Sequence, residues 1–252
     1  MRQGVKARLY VPDDLAVGQT VGLTAGQAHY LRHVMRLEPP QQVALFNGRQ
    51  GEWLARIDGF GRGWCSLSLE AQTRPQAAEP DIWLAFAPIK RARLDFLVQK
   101  AVELGVASLQ PVFTQFTDVR RVNTERMAAN VVEAAEQCER LTLPPVYEPK
   151  TLAELLAEWP SARRLLVCAE AGTAVPLQQV LAAADAASGK APWGVMTGPE
   201  GGFAPSELDA LRNLPFVTSV SLGPRILRAE TAAISALACW QAALGDWQSE
   251  RS

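Results

Sequence analysis

The chain is poor in cysteine, histidine and long apolar runs. Its four cysteines, Cys65, Cys138, Cys168 and Cys239, stand far apart in 252 residues. They form no CxxC pair and no Cys/His ligand spacing, which argues against a zinc site. The same scatter argues against a disulfide framework and for buried thiols in a reducing, cytoplasmic setting. The two histidines, His29 and His33, sit four apart. That spacing suits a metal on a helix, but no third ligand is near, so no metal is expected. No run of about 18 apolar residues occurs, so no membrane span is expected. The opening MRQGVKARLYVPDD has no apolar stretch of the kind a signal peptide carries. An excess of one charge is missing too: 25 Lys/Arg face 26 Asp/Glu, a net charge of −1. A uniformly basic nucleic-acid coat is thereby excluded, though not a local basic face.

What is present is the composition of a folded protein, 48% apolar and 20% charged. Charge is uneven along it. Residues 1–75 carry nine Lys/Arg against six Asp/Glu, a net of +3, and the remainder is net −4. The asymmetry either places a polyanion on the N-terminal part or reflects ordinary variation between two surfaces.

The first 72 or so residues read as β-structure with one helix. ARLYVP (7–12), TVGLT (20–24), QVALFNG (42–48), EWLARIDGF (52–60) and WCSLSLE (64–70) are short apolar or alternating runs punctuated by Gly and Pro. Asn47-Gly48 is a turn signal, since both residues tolerate positive φ. AHYLRHVMRL (28–37) repeats Leu31, Val34 and Met35 at helical spacing. A small barrel with one inserted helix is expected. Residues 73–80, polar and with two prolines, read as a linker.

From residue 81 strands and helices alternate. IWLAFAPI (82–89) is apolar throughout, as a strand buried on both faces requires. The pattern continues with a helix over 91–104 ended by Gly105, a strand over 106–113, and a helix capped by Asn123. Thr151 and Glu154 form a capping box for a short helix that stops at Pro160. RLLVCAE (164–170), WGVMTG (193–198) and FVTSVSLG (216–223) are further strands, each expected to lead into a helix. Repeated βα units imply an α/β fold with an open parallel sheet. No internal repeat or low-complexity tract is present.

Ligands of such sheets bind beyond the carboxyl ends of the strands. Three junctions there are unusual. Thr197-Gly198-Pro199-Glu200-Gly201-Gly202-Phe203 suits a tight loop where backbone approaches a ligand, or simply a turn. It is neither a P-loop nor GxGxxG. Leu222-Gly223-Pro224-Arg225-Ile226-Leu227-Arg228-Ala229-Glu230-Thr231 places two arginines before a nearly all-apolar helix, 231–247. Cys168-Ala169-Glu170 ends a buried strand in a carboxylate.

GPEGGF followed by SLGPRILRAETA resembles the SPOUT class of RNA methyltransferases, and more narrowly the bacterial 16S ribosomal RNA uracil-N3 methyltransferase family. RLYVP, HYLRHVMRL, FNGRQGEW, QKAVELGV and VVEAAEQCERLTLPPV agree in the family's order, over nearly the whole chain. The resemblance implies a PUA-like β-barrel over 1–72 that holds RNA. It implies a SPOUT domain over 81–252 with a deep trefoil knot, an exception to the usual rule against knots. It also implies S-adenosylmethionine as methyl donor, 16S ribosomal RNA within the small subunit as substrate, and a cytoplasmic homodimer. The apolar last helix suits such an interface, or equally a central core helix.

By the same resemblance the donor pocket uses Glu170, then Thr197, Gly198, Pro199, Glu200, Gly201 and Gly202, then Leu222, Gly223, Ile226 and Leu227, with Thr231. Uracil N3–H is a weak acid, so methylation there needs the nitrogen's anion stabilised and its proton accepted. Arg225 and Arg228 are the candidates for the first task and Glu200 for the second. Arg140, from EQCER, is expected to reach across a dimer, or else to pair with Glu136 on one helix face. Arg8, Arg32 and Arg36 are expected on phosphates, with a plain solvated face as the alternative. Two departures stand out. Where the family commonly has an Arg-Ser or Arg-Thr pair the chain reads Gln115-Phe116-Thr117, leaving Arg120 and Arg121 as the nearby basic contacts. Glu139 stands where a small residue usually precedes the final Arg. Alternatives are a SPOUT enzyme for another base or ribose 2′-O, and a non-catalytic RNA-binding assembly factor. A nicotinamide enzyme is disfavoured, since APIKRARLD stands where GxGxxG is expected.

Overall fold

A computed structural model describes residues 5–169, 174–184 and 191–248. It contains two compact units. The first comprises the chain up to Ala78 together with Ala135–Leu143; the second comprises Glu79–Ala134 and the chain from Pro144 onward. A boundary at 73–80 assigns 135–143 to the second part, whereas in the structure Ala135–Leu143 clusters with the first unit.

The first unit is a five-stranded sheet in the order β1-β3-β4-β5-β2. Its strands are β1 (Arg8–Tyr10), β2 (Thr20–Leu23), β3 (Gln42–Phe46), β4 (Glu52–Gly61) and β5 (Trp64–Arg74). β1 runs parallel to β3; the other pairings are antiparallel. Along β5 the residues alternate, with Cys65, Leu67 and Leu69 turned into the core beside Leu9, Val21, Leu31, Val43, Leu45 and Ile57. Each such side chain contributes about 1.5–3 kcal/mol by leaving water. Three register shifts along β4 bend the sheet around this core. β5 extends to Arg74, past the expected start of the linker.

The helix starts earlier than its apolar spacing suggested. α1 (Ala25–His29) is capped by Thr24, whose side chain accepts from Gln27 N while the Gln27 side chain accepts from Thr24 N. It continues as a π-helical turn, Tyr30–Val34, and the chain then leaves through Arg36 at φ 54°.

Arg8 ties Ala135–Leu143 to this sheet. Its Nε donates to Glu52 Oε2 at 2.8 Å, and its two Nη atoms donate to the carbonyls of Ala135 (2.8 Å) and Arg140 (2.7 Å). The guanidinium also lies 3.7 Å from the centroid of the Phe46 ring. With a side chain 7% exposed, Arg8 is an internal strut and not the solvent-facing phosphate contact expected from sequence. Tyr10 N donates to Glu136 Oε1 and Arg74 Nη1 to Glu139 O, so the Glu139 stretch (φ 62°) is held by backbone and side chain alike.

The second unit is a seven-stranded, wholly parallel sheet in the order β10-β12-β9-β11-β6-β7-β8. Its strands are β6 (Ile82–Phe86), β7 (Ser108–Phe113), β8 (Lys150–Thr151), β9 (Arg164–Cys168), β10 (Val175–Pro176), β11 (Trp193–Thr197) and β12 (Val217–Ser221). The helices are α2 (Arg91–Glu103), α3 (Thr124–Gln137, of which the part up to Ala134 belongs to this unit), α4 (Leu152–Glu158), α5 (Leu177–Ala183), α6 (Pro205–Arg212) and α7 (Ala229–Leu244). The central strand β11 is buried at every residue, the polar Thr197 included. Gly194 on it admits the Trp159 indole, which an added Cβ would meet at 2.6 Å. Asn123 Oδ1 accepts from Arg126 N at the start of α3, and the Thr151–Glu154 capping box forms as its residues indicate.

Two thiols, the buried Cys65 and the half-buried Cys168, set an alkaline limit. Burial pushes Cys65 up to about 11, with the Asp58 charge adding to it. Burial likewise pushes Cys168 up to about 12, with Cys239 adding. An unfolded cysteine ionises near about 8.5. Above that pH the unfolded chain loses thiol protons that the folded chain retains, so stability falls as pH rises toward those raised values. Thermal melts at increasing pH should show this decline, and Cys65→Ser should make it shallower. An unchanged slope in Cys65→Ser would contradict the assignment.

Candidate active site

β12, β9 and β11 are adjacent, and their register aligns Val220 with Cys168 and Cys168 with Thr197 at the carboxyl edge. Beyond that edge lies a cavity of about 560 Å³, a size suited to a small organic ligand. Its walls are two crossovers. One leaves β11 and runs through Gly198, Pro199, Glu200, Gly201, Gly202 and Phe203 into α6; the other leaves β12 and runs through Leu222, Gly223, Pro224, Arg225, Ile226, Leu227 and Arg228 into α7.

Each crossover is shaped by its glycines. A Cβ on Gly198 would come to 3.0 Å from the Phe203 ring, so the bare backbone lets the ring close over it. Gly202 has φ +72° and its N–H donates to Pro199 O at 2.9 Å, turning the loop back on itself. Gly223, at φ +109°, makes the corresponding turn out of β12, and its N–H donates to Ser221 Oγ. Glu207 braces the first crossover: its carboxylate accepts from Ala204 N and from Gln115 N. Phe116, from the departing Gln115-Phe116-Thr117 stretch, packs beside Gly201, where an added Cβ would be 3.1 Å from the Phe116 Cβ.

The polar groups of the cavity are few. Thr197 is 2% exposed, and its Oγ1 has no hydrogen-bond partner among the described residues. A buried hydroxyl left in this state at a cavity wall suits a polar atom of a bound ligand. Glu200 Oε1 lies 3.5 Å from Arg93 Nη1. Arg228 is the N-cap residue of α7 and lines the cavity; its guanidinium has no acceptor with which to cap the helix. Leu222, Leu227, Phe203 and Leu208 supply apolar surface, and Ile226 is 85% exposed at the rim.

Of the residues expected at a donor pocket, Thr197 to Gly202, Leu222, Gly223, Ile226 and Leu227 all line this cavity, together with Arg225 and Arg228. Glu170 lies outside the described residues. Thr231 is exposed and does not line the cavity; Ala229 and Ala232 do. α7 begins at Ala229 instead of 231, and two residues turn a helix face by roughly 200°. Cys168 and Ala169, from the junction that ends in Glu170, also line it; Val220 and Ser221 were missed, although strand ends at this edge are where the fold places ligands. Arg140 does not line the cavity; it is buried, with Nε on Thr142 Oγ1.

In the first unit Arg32, His33, Arg36 and Phe60 line a second cavity of about 460 Å³, with the Arg32 guanidinium 5.9 Å from the Phe60 centroid. The His29 and His33 rings lie 4.7 Å apart, and no group of three metal-ligating side chains occurs among the described residues. Arg120 and Arg121 are exposed on the loop between β7 and α3. No helix among the described residues is long and apolar enough to cross a membrane.

Residues 77–241 match the RNA methyltransferase domain model, and residues 23–62 match the RNA methyltransferase PUA domain model. Over 237 residues the chain is 34% identical to the ribosomal RNA small subunit methyltransferase E of Rickettsia conorii, covering 92% of this chain and 93% of that one. The chain belongs to the ribosomal RNA small subunit methyltransferase E family. The family member from Synechocystis is 33% identical over 92% of this chain and 76% of its own length. A crystal structure of the family member from Neisseria gonorrhoeae, bound to S-adenosylmethionine, superposes with a TM-score of 0.85 at 31% identity, covering 96% of this chain and 99% of that one. A Legionella pneumophila methyltransferase in complex with the same molecule gives 0.82 at 29% identity, covering 96% of this chain and 99% of that one. Membership makes the chain an RNA methyltransferase with a SPOUT-type α/β domain and a PUA domain, as the sequence motifs indicated.

Proposed function

We propose that the protein transfers the methyl group of S-adenosylmethionine to N3 of one uridine in 16S ribosomal RNA, within the small ribosomal subunit and in the cytoplasm. The observation that carries this reading is the cavity at the ends of β9, β11 and β12, walled by two glycine-bearing crossovers. Residues 1–72 would hold RNA and 81–252 the donor. The two crossovers would be threaded as a trefoil knot, and the enzyme would act as a homodimer.

The cavity fits the donor chemically. Backbone N–H and C=O groups around Gly198–Gly202 and Leu222–Leu227 can read the edge of a flat purine, while Leu222 and Leu227 pack its face. The Thr197 hydroxyl offers a hydrogen bond that no described residue takes. When bound, the donor supplies a methyl carbon already activated by its sulfonium. The chain's own task is then to place uracil N3 in line with that carbon. Arg228 and Arg225, on the crossover into α7, would stabilise negative charge on the uracil carbonyl oxygens, and Glu200 would accept the N3 proton directly or through water. Arg140, buried and bonded to Thr142, has no part in RNA contact in this reading. Arg32 and Arg36 in the first unit, with Arg120 and Arg121, would meet phosphates.

The test is nucleoside mass spectrometry of 16S ribosomal RNA from a strain lacking the gene and from the complemented strain. Loss and return of N3-methyluridine supports the assignment. Unchanged N3-methyluridine, or loss of a different modified nucleoside, overturns it.

A further inference from the structure

We propose that Arg93 is a positioning residue of the donor cavity, latching together the two crossovers that form its walls. The inference rests on the donor reading above and extends it to a residue outside the cavity lining. Arg93 lies in the first turn of α2, and its N–H donates to Lys90 O. The strand preceding α2, β6, pairs directly with β11, so this turn starts beside the crossover that leaves β11. From there one guanidinium reaches both walls. Nη1 is 3.5 Å from Glu200 Oε1, on the β11 crossover. Nε is 3.7 Å from Glu230 Oε1, in the first turn of α7, two residues after Arg228.

The choice of residues fits a latch. Arginine presents Nε and Nη donors on a rigid plane and can face two carboxylates at once; lysine offers one point charge. Glu230 has a side chain 10% exposed, and its Oε2 has no partner among the described residues. A carboxylate so buried needs compensation, and α7's N-terminus together with Arg93 supplies it. Glu200 lines the cavity, while the start of α7 carries Arg228 and Ala229 into it. Fixing both carboxylates to one cation therefore fixes the separation of the walls on which donor binding depends.

A role by charge alone predicts something different. S-adenosylmethionine carries a sulfonium cation, whereas S-adenosylhomocysteine has a neutral thioether. Removing a cation that merely tunes charge would tighten the sulfonium ligand relative to the thioether. Removing a latch would weaken both alike. Calorimetric titration of the full-length protein with each ligand separates the two. Arg93→Ala should weaken both by about tenfold or more, with their affinity ratio kept within about twofold. Arg93→Lys should remain weaker than wild type for both, because one ammonium does not span the two carboxylates. In Arg93→Ala/Glu230→Gln the uncompensated buried charge is gone, so the melting temperature should return toward wild type while both affinities stay low.

Wild-type affinity in Arg93→Ala, or selective tightening of S-adenosylmethionine, overturns the latch and leaves the donor reading standing. So does a double variant that regains affinity together with melting temperature, since Arg93 would then serve only to neutralise Glu230. If the wild type binds neither ligand, the donor reading falls and the latch with it.

Discussion

Arg228→Ala should slow single-turnover methylation at saturating donor by about two to three orders of magnitude, the usual loss when one preorganised donor to a developing anion is removed. The position makes this a clean experiment. Arg228 stands at the N-cap of α7, yet its side chain makes no capping bond, and its backbone carbonyl, which accepts from Ala232 N, survives the substitution. Helix, fold and donor affinity should therefore stay close to wild type while the chemical step suffers. Glu200→Gln, which keeps shape and removes the proton acceptor, should also be slow. Near-wild-type rates in both variants would dismiss both roles. If the Arg228→Ala defect lies entirely in donor affinity, Arg228 holds the donor and has no hand in stabilising the uracil anion.

The second large effect is on stability. Arg8→Ala should destabilise the first unit by about 3–5 kcal/mol, because it leaves a buried carboxylate without its partner. Glu52 is 9% exposed and takes its 2.8 Å contact from Arg8; Arg74, at 3.7 Å, is the remaining cation nearby. The variant also frees the carbonyls of Ala135 and Arg140 from the side chain that binds them. Urea unfolding should show the loss. Arg8→Met combined with Glu52→Leu should recover much of it, since an apolar pair of similar volume has no charge to desolvate. A midpoint unchanged in Arg8→Ala would refute the strut.

Much of the site was legible because its signals are local. Glycines at 198, 201, 202 and 223 mark loops whose backbone turns or closes tightly, and strand ends followed by helices mark where a parallel sheet binds ligands. The capping box at Thr151 and Glu154 is local in the same sense, and so is the one at Thr24 and Gln27, which the apolar spacing of 28–37 obscured. Resemblance alone placed Thr231 at the pocket; the helix begins at Ala229, and Ala229 and Ala232 line the cavity there.

The sequence by itself determined the alternation of buried and exposed residues in β5, the continuous apolar strand β6, the caps and the glycine turns, because each depends on residues close together in the chain. Only the tertiary structure decided that Arg8 is an internal strut, that Ala135–Leu143 packs with the N-terminal sheet, and that Arg93 meets Glu200 and Glu230. Those outcomes join residues far apart in the chain, 44 positions for Arg8 with Glu52 and 127 for Arg8 with Ala135. An arginine's spelling is the same whether its charge faces water or a buried carboxylate; burial and partner are properties of the folded chain alone.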